Sequence, residues 1–153
     1  MLTRRTVLTT ASAALVVPSF AFASPSTISA RTAYDGMTAG QLILIDVRTP
    51  QEWQQTGVAK GAWPLDMTHR DFGGWLMAVI QRNPTRQVAL ICRTGNRTGH
   101  LMKVLRQNGI NGVLDVTEGM VGGPRGPGWI PTGLPVVSVE QAFQAMPGDL
   151  TLS

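Results

Sequence analysis

The sequence predicts an α/β domain of three layers, with helices on both faces of a central, mostly parallel sheet of about five strands. Two observations lead there. Runs that read as strands alternate along the chain with segments of helical spacing, the pattern of a sheet covered on both sides. The two strongest runs, Leu42-Ile43-Leu44-Ile45 and Val88-Ala89-Leu90-Ile91, are apolar at every position, as strands buried on both faces are.

The elements follow in order. Ser24 to Ile28 reads as a short tether. Ser29 is placed to cap a helix over Ala30 to Ala39, which Gly40 stops. The run from Leu42 is closed by Asp46-Val47-Arg48. Thr49-Pro50-Gln51-Glu52 then reads as a helix start, with Thr49 as cap, Pro50 at the first helical position and Glu52 completing a capping box. Gly57 ends this helix. Ala62 to Leu65 is a weaker strand, and Pro64 puts it at an edge. In the segment Asp71 to Arg82, Phe72, Trp75, Leu76, Val79 and Ile80 recur at helical spacing. After the second apolar run, Gly95 and Asn96 break the chain. Thr98 to Gln107 reads as a helix with Leu101, Val104 and Leu105 inward, ended by Gly109. Val113, Leu114 and Val116 give another strand. Gly119 to Gly133 is a loop rich in Gly and Pro, and Ser138-Val139-Glu140-Gln141 opens a last helix through Ala145.

The first 23 residues read as an address label. Arg4 and Arg5 form a short positive region, an apolar run spans Ala11 to Ala23, and Ala21-Phe22-Ala23 is a small-x-small cleavage pattern before Ser24. The run falls short of the ~20 residues that a membrane span needs. The pair in Thr3-Arg4-Arg5-Thr6-Val7-Leu8 resembles a twin-arginine signal, and a general secretory signal is the alternative. The reading is therefore residues 1–23 as a signal peptide and residues 24–153 as one domain, periplasmic or secreted and monomeric, with no membrane span after signal removal. Removing Arg4 and Arg5 leaves 11 basic against 9 acidic residues, so much of the net charge of +4 belongs to the leader. No basic stripe with interleaved aromatics is visible, which argues against nucleic acid as a partner.

Cys92 is the single cysteine. It cannot form an internal disulfide, and in an exported protein a leftover thiol reads either as a reactive residue or as a buried inert one, which its surroundings decide. They support the reactive reading. Cys92-Arg93-Thr94-Gly95-Asn96-Arg97-Thr98 joins an apolar strand to a helix. The first turn of a helix leaves backbone N–H groups unpaired, and the macrodipole adds partial positive charge. Gly95 and Asn96 tolerate the backbone angles that curl amides inward. Arg93 and Arg97 add full charges. All of these favour thiolate over thiol, and the same cradle suits a persulfide anion. Asp46, Cys92 and Glu118 each fall at or just past a strand's carboxyl end, where ligands bind in such sheets.

The Cys-Arg-Thr-Gly-Asn-Arg-Thr segment after a buried strand resembles the active-site loop of rhodanese domains. Leu44-Ile45-Asp46-Val47-Arg48-Thr49-Pro50-Gln51-Glu52-Trp53 resembles that family's first strand and helix, and Gly57 with Gly61-Ala62 the next element. Val58-Ala59-Lys60 departs from the more usual His-Ile-Pro. Gly112 to Val116, Glu118-Gly119-Met120 and Gly133-Leu134-Pro135-Val136 resemble the closing segments, so the likeness runs from about Ile28 to Val137. The resemblance implies a rhodanese-like fold and a sulfurtransferase. Cys92 would take sulfane sulfur from a donor such as thiosulfate and pass it from a persulfide to cyanide, a thiol or a partner protein of the envelope. Arg93, Thr94, Gly95, Asn96, Arg97 and Thr98 would form the loop around it, with Asp46, Arg48, Glu118 and Gly119 in support. No metal or organic cofactor is implied. A non-catalytic sulfur carrier docking on an envelope protein is the alternative. Thiolate phosphatases also use an amide cradle, but their loop is one residue longer than the four that separate Cys92 from Arg97, a bowl for phosphate rather than for one sulfur atom.

Other residues carry plainer readings. Arg48 and Glu52, four apart across a helix start, read as a local ion pair. Asp46 either orients the cradle by accepting N–H bonds or caps the strand. His69 and His100 have no partner at metal-ligand spacing. Trp75 and Trp129 read as core, and the Gly122–Gly128 run as a wall of the site.

Overall fold

The structure, a computed structural model, describes residues 26–150. The leader reading of residues 1–23 lies outside them. In chain order the elements are β1 (Thr27–Ile28), α1 (Ala30–Thr38), β2 (Leu42–Asp46), α2 (Pro50–Thr56), β3 (Val58–Ala59), β4 (Trp63–Pro64) and α3 (Phe72–Arg82). They continue with β5 (Gln87–Ile91), α4 (Asn96–Gln107), β6 (Leu114–Val116), β7 (Val136–Val137) and α5 (Val139–Gln144). A short 3-10 turn, Gly148–Leu150, follows.

The main sheet runs β1-β6-β5-β2-β4 with every neighbouring pair parallel. β2 and β5 form its centre, in a register that sets Ile45 beside Leu90 and Asp46 beside Ile91. Side chains alternate between the two faces. Leu42, Leu44, Ala89, Ile91, Leu114 and Val116 pack with Trp53 of α2 and with α1 and α5. Ile43, Ile45, Val88, Leu90 and Cys92 pack with Leu76 and Val79 of α3 and Met102 and Leu105 of α4. Two cores, one on each side, explain the unbroken apolar runs. Each fully buried Leu, Ile or Val contributes about 1.5–3 kcal/mol.

Local signals account for most boundaries. Ser29 accepts from the Thr32 amide at 3.0 Å and caps α1. Thr49 and Glu52 close a capping box on α2, with Pro50 in its first turn and Gly57 at its end at φ +76°. Ser138 and Gln141 form a second capping box on α5. β4 is an edge strand, as Pro64 requires.

Four features differ from the sequence reading. The segment taken as a tether contains β1, which pairs with β6; two residues are too few for periodicity to reveal. Val58–Ala59 and Val136–Val137 pair antiparallel as a small second sheet, again too short to carry a pattern. α4 begins at Asn96 rather than Thr98, because Gly95 already occupies the cap position. Val104 faces outward at 38 % exposure, while Met102 takes the inward place. No helix of the described residues is long and apolar enough to cross a membrane.

Candidate active site

β5 ends at Ile91, so Cys92 is the first residue past the carboxyl edge of a central strand. It is fully buried. The chain then turns through Arg93, Thr94 and Gly95 into α4. Gly95 stands at φ +82° in the left-handed region, where glycine alone is unstrained. It is also crowded, since a Cβ there would lie 1.9 Å from the Thr117 carbonyl oxygen. This turn brings the Gly95 amide back onto the cysteine, its N–H donating to Cys92 Sγ at 3.1 Å. The Thr98 hydroxyl lies 3.5 Å from the same sulfur and also donates to the Gly95 carbonyl at 3.2 Å. The sulfur therefore sits at the start of a helix, with an amide and a hydroxyl within reach.

The two arginines of the loop have different surroundings. Arg93 is exposed. Arg97 reaches across to α2, where both carboxylate oxygens of Glu52 accept from it, one at 2.8 Å. The Arg97 bond is the main cause that holds the Glu52 carboxyl down at about 2, and Glu52 in return raises Arg97. Cys92 and Asp46 lie close enough to raise Arg97 further, so this fixed cation is in electrostatic range of the sulfur. Glu52 is thus paired with Arg97 and not with Arg48. Arg48 instead closes on Asp46, with Nη2 to Oδ2 at 2.7 Å and Nε to Oδ1 at 2.9 Å. Its other donors go to Thr56 Oγ1 and the Gly57 carbonyl, at 2.6 and 2.7 Å. Arg48 lies two residues past the end of β2 and just before the Thr49 cap of α2, so its side chain folds back onto the strand's last carboxylate. Asp46 also accepts from the Arg48 backbone amide at 3.1 Å, so its carboxylate caps the strand end and takes no amide of the Cys92 loop. Both residues are buried and the pair anchors α2 beside the site.

Glu118 and Gly119 arrive from the end of β6. Gly119, at φ +67°, lies against the loop so closely that a Cβ would be 2.5 Å from the Arg93 carbonyl oxygen. The amides of Met120 and Val121 donate to the carbonyls of Cys92 and Arg93, at 2.9 and 3.0 Å. Glu118 Oε2 accepts from the Gly128 amide at 3.2 Å and so braces the following hairpin rather than the sulfur. Within that hairpin Gly123 and Gly126 pair antiparallel. Its Arg125 donates to the Thr94 and Thr117 carbonyls, each at 3.2 Å, and to Asn96 Oδ1 at 2.8 Å. Sequence reasoning placed this run as a wall and missed Arg125. The available signal was a lone cation inside an otherwise uncharged Gly and Pro run.

A second unanticipated group is Asp115 on β6, packed behind the loop on the face of α4 and only 5 % exposed. Its Oδ1 is buried without a hydrogen-bond partner. Burial raises the carboxyl above its ordinary value, against the opposing pull of Thr98, Arg125 and Arg106. Trp129 is fully buried, with Nε1 donating to the Pro135 carbonyl at 2.9 Å. Trp75 is half-buried and stacks on His69, with ring centres 4.4 Å apart.

The family model of the rhodanese-like domain matches residues 29–123, a span that includes Cys92, its loop, and the Asp46–Arg48 and Glu118-Gly119 segments. An uncharacterized protein of Rickettsia rickettsii is 25 % identical over 122 residues, covering 73 % of this chain and 97 % of that one. The crystal structure of a rhodanese-related protein from Thermoplasma volcanium superposes with a TM-score of 0.54 at 26 % identity, over 74 % of this chain and 98 % of that one. A polysulfide-sulfur transferase from Wolinella succinogenes shares the fold, with a TM-score of 0.51 at 24 % identity over 73 % of this chain and 77 % of that one. A parallel sheet with a cysteine loop past its central strand and a family match over most of the chain lead to one conclusion: this chain belongs to the rhodanese-like domain family.

Proposed function

We propose that the protein is a sulfurtransferase of the thiosulfate type, with Cys92 as its nucleophile. The observation that carries the reading is the Gly95 amide aimed at Cys92 Sγ at 3.1 Å, at the start of α4. An N–H donor and a helix N-terminus both stabilise negative charge on that sulfur, in the attacking thiolate and again as it leaves when the persulfide is discharged.

The chemistry balances without a cofactor. The Cys92 thiolate attacks the outer sulfur of thiosulfate. A sulfur–sulfur bond forms to Cys92, the bond inside thiosulfate breaks, and sulfite leaves with the electron pair. An acceptor, either cyanide or a thiolate on a small molecule or protein, then attacks the outer sulfur of the persulfide and releases Cys92 as thiolate. Arg93, exposed at the rim, supplies charge that draws in an anionic donor. Arg97 holds positive charge near the sulfur while Glu52 fixes its position. Thr94, Gly95, Asn96 and Thr98 shape the bowl, and Asp46, Arg48, Glu118 and Gly119 hold its surroundings. The reading of residues 1–23 as an export signal belongs to the same proposal and rests on the sequence alone; it would place the reaction in the periplasm or outside the cell.

The test is turnover of thiosulfate and cyanide by the purified protein, read as thiocyanate. The wild type releases thiocyanate and Cys92→Ser does not. Equal release by both proteins would remove Cys92 from the reaction.

A further inference from the structure

Rotation of a single peptide decides whether the cradle attracts or repels a sulfur anion. The Thr94 carbonyl and the Gly95 N–H belong to one planar trans unit and so point in opposite directions. On one side the Gly95 N–H donates to Cys92 Sγ at 3.1 Å. On the other the Thr94 carbonyl accepts from Arg125 Nη2 at 3.2 Å. Were this peptide to flip, a carbonyl oxygen would face the sulfur in place of an N–H. Gly95, already at φ +82° and lacking a Cβ, offers little intrinsic resistance to that rotation.

The surroundings add a second feature, two carbonyls served by one side chain. The Thr117 carbonyl fills the space that a Cβ on Gly95 would need, so it lies beside the Thr94–Gly95 peptide at one edge of the loop. Arg125 bridges both, Nε to Thr117 and Nη2 to Thr94, and Nη2 also reaches Asn96 Oδ1 in the first turn of α4. A planar fork of donors suits this set of acceptors, whereas an ammonium is a point charge. Arg125 is exposed, yet it is held by three acceptors, and the hairpin that carries it is itself braced by Glu118 on the Gly128 amide.

We propose that Arg125 is a positioning residue that locks the Thr94–Gly95 peptide with its N–H on Cys92 Sγ. It lies two residues past the end of the family match, in the Gly- and Pro-rich hairpin. The proposal rests on Cys92 as the sulfur carrier, and it makes the effect of Arg125 independent of donor charge.

The experiment compares wild type, Arg125→Ala and Arg125→Lys by two readouts. The first is the rate of each half-reaction, loading by thiosulfate and discharge of a preloaded persulfide by cyanide. The second is hydrogen exchange at the Gly95 amide in the resting protein, which reports the peptide whether or not sulfur is transferred. Arg125→Ala is expected to slow both half-reactions roughly tenfold to a hundredfold, in kcat more than in KM. Its Gly95 amide exchanges at least about tenfold faster, and lysine restores neither. Unchanged Gly95 exchange in Arg125→Ala overturns the proposal. So does a loss confined to the KM for thiosulfate and restored by lysine, which would make Arg125 a donor-binding charge. A wild type that takes up no sulfur defeats the sulfurtransferase reading alone, because the exchange measurement still decides how the peptide is held.

Discussion

Cys92 has little local freedom, because its sulfur is met by the Gly95 amide and the Thr98 hydroxyl. Behind these lies Asp115, a carboxyl that no loop motif announces. Its buried, unpaired Oδ1 and raised titration describe a group that folding makes harder to ionise. The sign of the linkage follows. A carboxyl whose folded value exceeds its unfolded one costs nothing below the unfolded range of ~3.9, and the penalty grows as pH rises through the folded value. Asp115→Asn is therefore expected to raise stability toward urea at neutral pH, with the gain shrinking as the solution is acidified toward the carboxylate range. A variant equally stable with wild type at neutral pH would show that the carboxyl is relieved by other means. Asp115 was illegible in the sequence because Val113, Leu114 and Val116 around it read as an apolar strand. One polar residue in such a run reveals neither its face nor its partners.

Among the elements, the contact of α2 with α4 shapes the site. Glu52 joins them through Arg97, with its carboxyl held at about 2 by that bond. A depressed carboxyl stabilises the fold above its unfolded value, and that contribution is lost as pH falls from the ordinary carboxylate range toward about 2. Glu52→Gln should cost about 1–2 kcal/mol at neutral pH, the scale of a partly exposed charge-assisted pair, and the difference from wild type should vanish in acid. Denaturant titrations at neutral and acid pH measure this; a difference that persists unchanged in acid would assign the effect to packing. The turn between β5 and α4 gives a second prediction. Gly95→Ala places a Cβ in the left-handed region and against the Thr117 carbonyl, so it should cost about 1–3 kcal/mol in backbone strain and abolish sulfur transfer. Wild-type melting and activity would mean that the turn relaxes freely.

The elements also show how sequence reading succeeds and fails. The caps at Ser29, Thr49 and Ser138 were legible because the residues that form them are sequence neighbours. The Glu52–Arg97 pair was not, because it joins residues 45 apart in sequence and only the parallel pairing of β2 with β5 brings them together. Glu52 was assigned to Arg48 on helical spacing, but Arg48 precedes the helix and its side chain follows the strand back to Asp46.

At the scale of the molecule, the order β1-β6-β5-β2-β4 sets the Cys92 loop in the middle of the sheet's carboxyl edge, where the end of β6 can buttress it. That placement was readable from two unbroken apolar runs and one loop motif. The short strands Thr27–Ile28, Val58–Ala59 and Val136–Val137 were not. Thr27–Ile28 forms on the free edge of β6, the other two pair only with each other, and the residues of all three carry no period. The whole arrangement converges on one sulfur atom, so the most direct test is the intact mass of the protein after incubation with thiosulfate and removal of small molecules. The account predicts a gain of one sulfur atom that maps to Cys92 and disappears on addition of cyanide. An unchanged mass, or added sulfur that survives in Cys92→Ser, would contradict it.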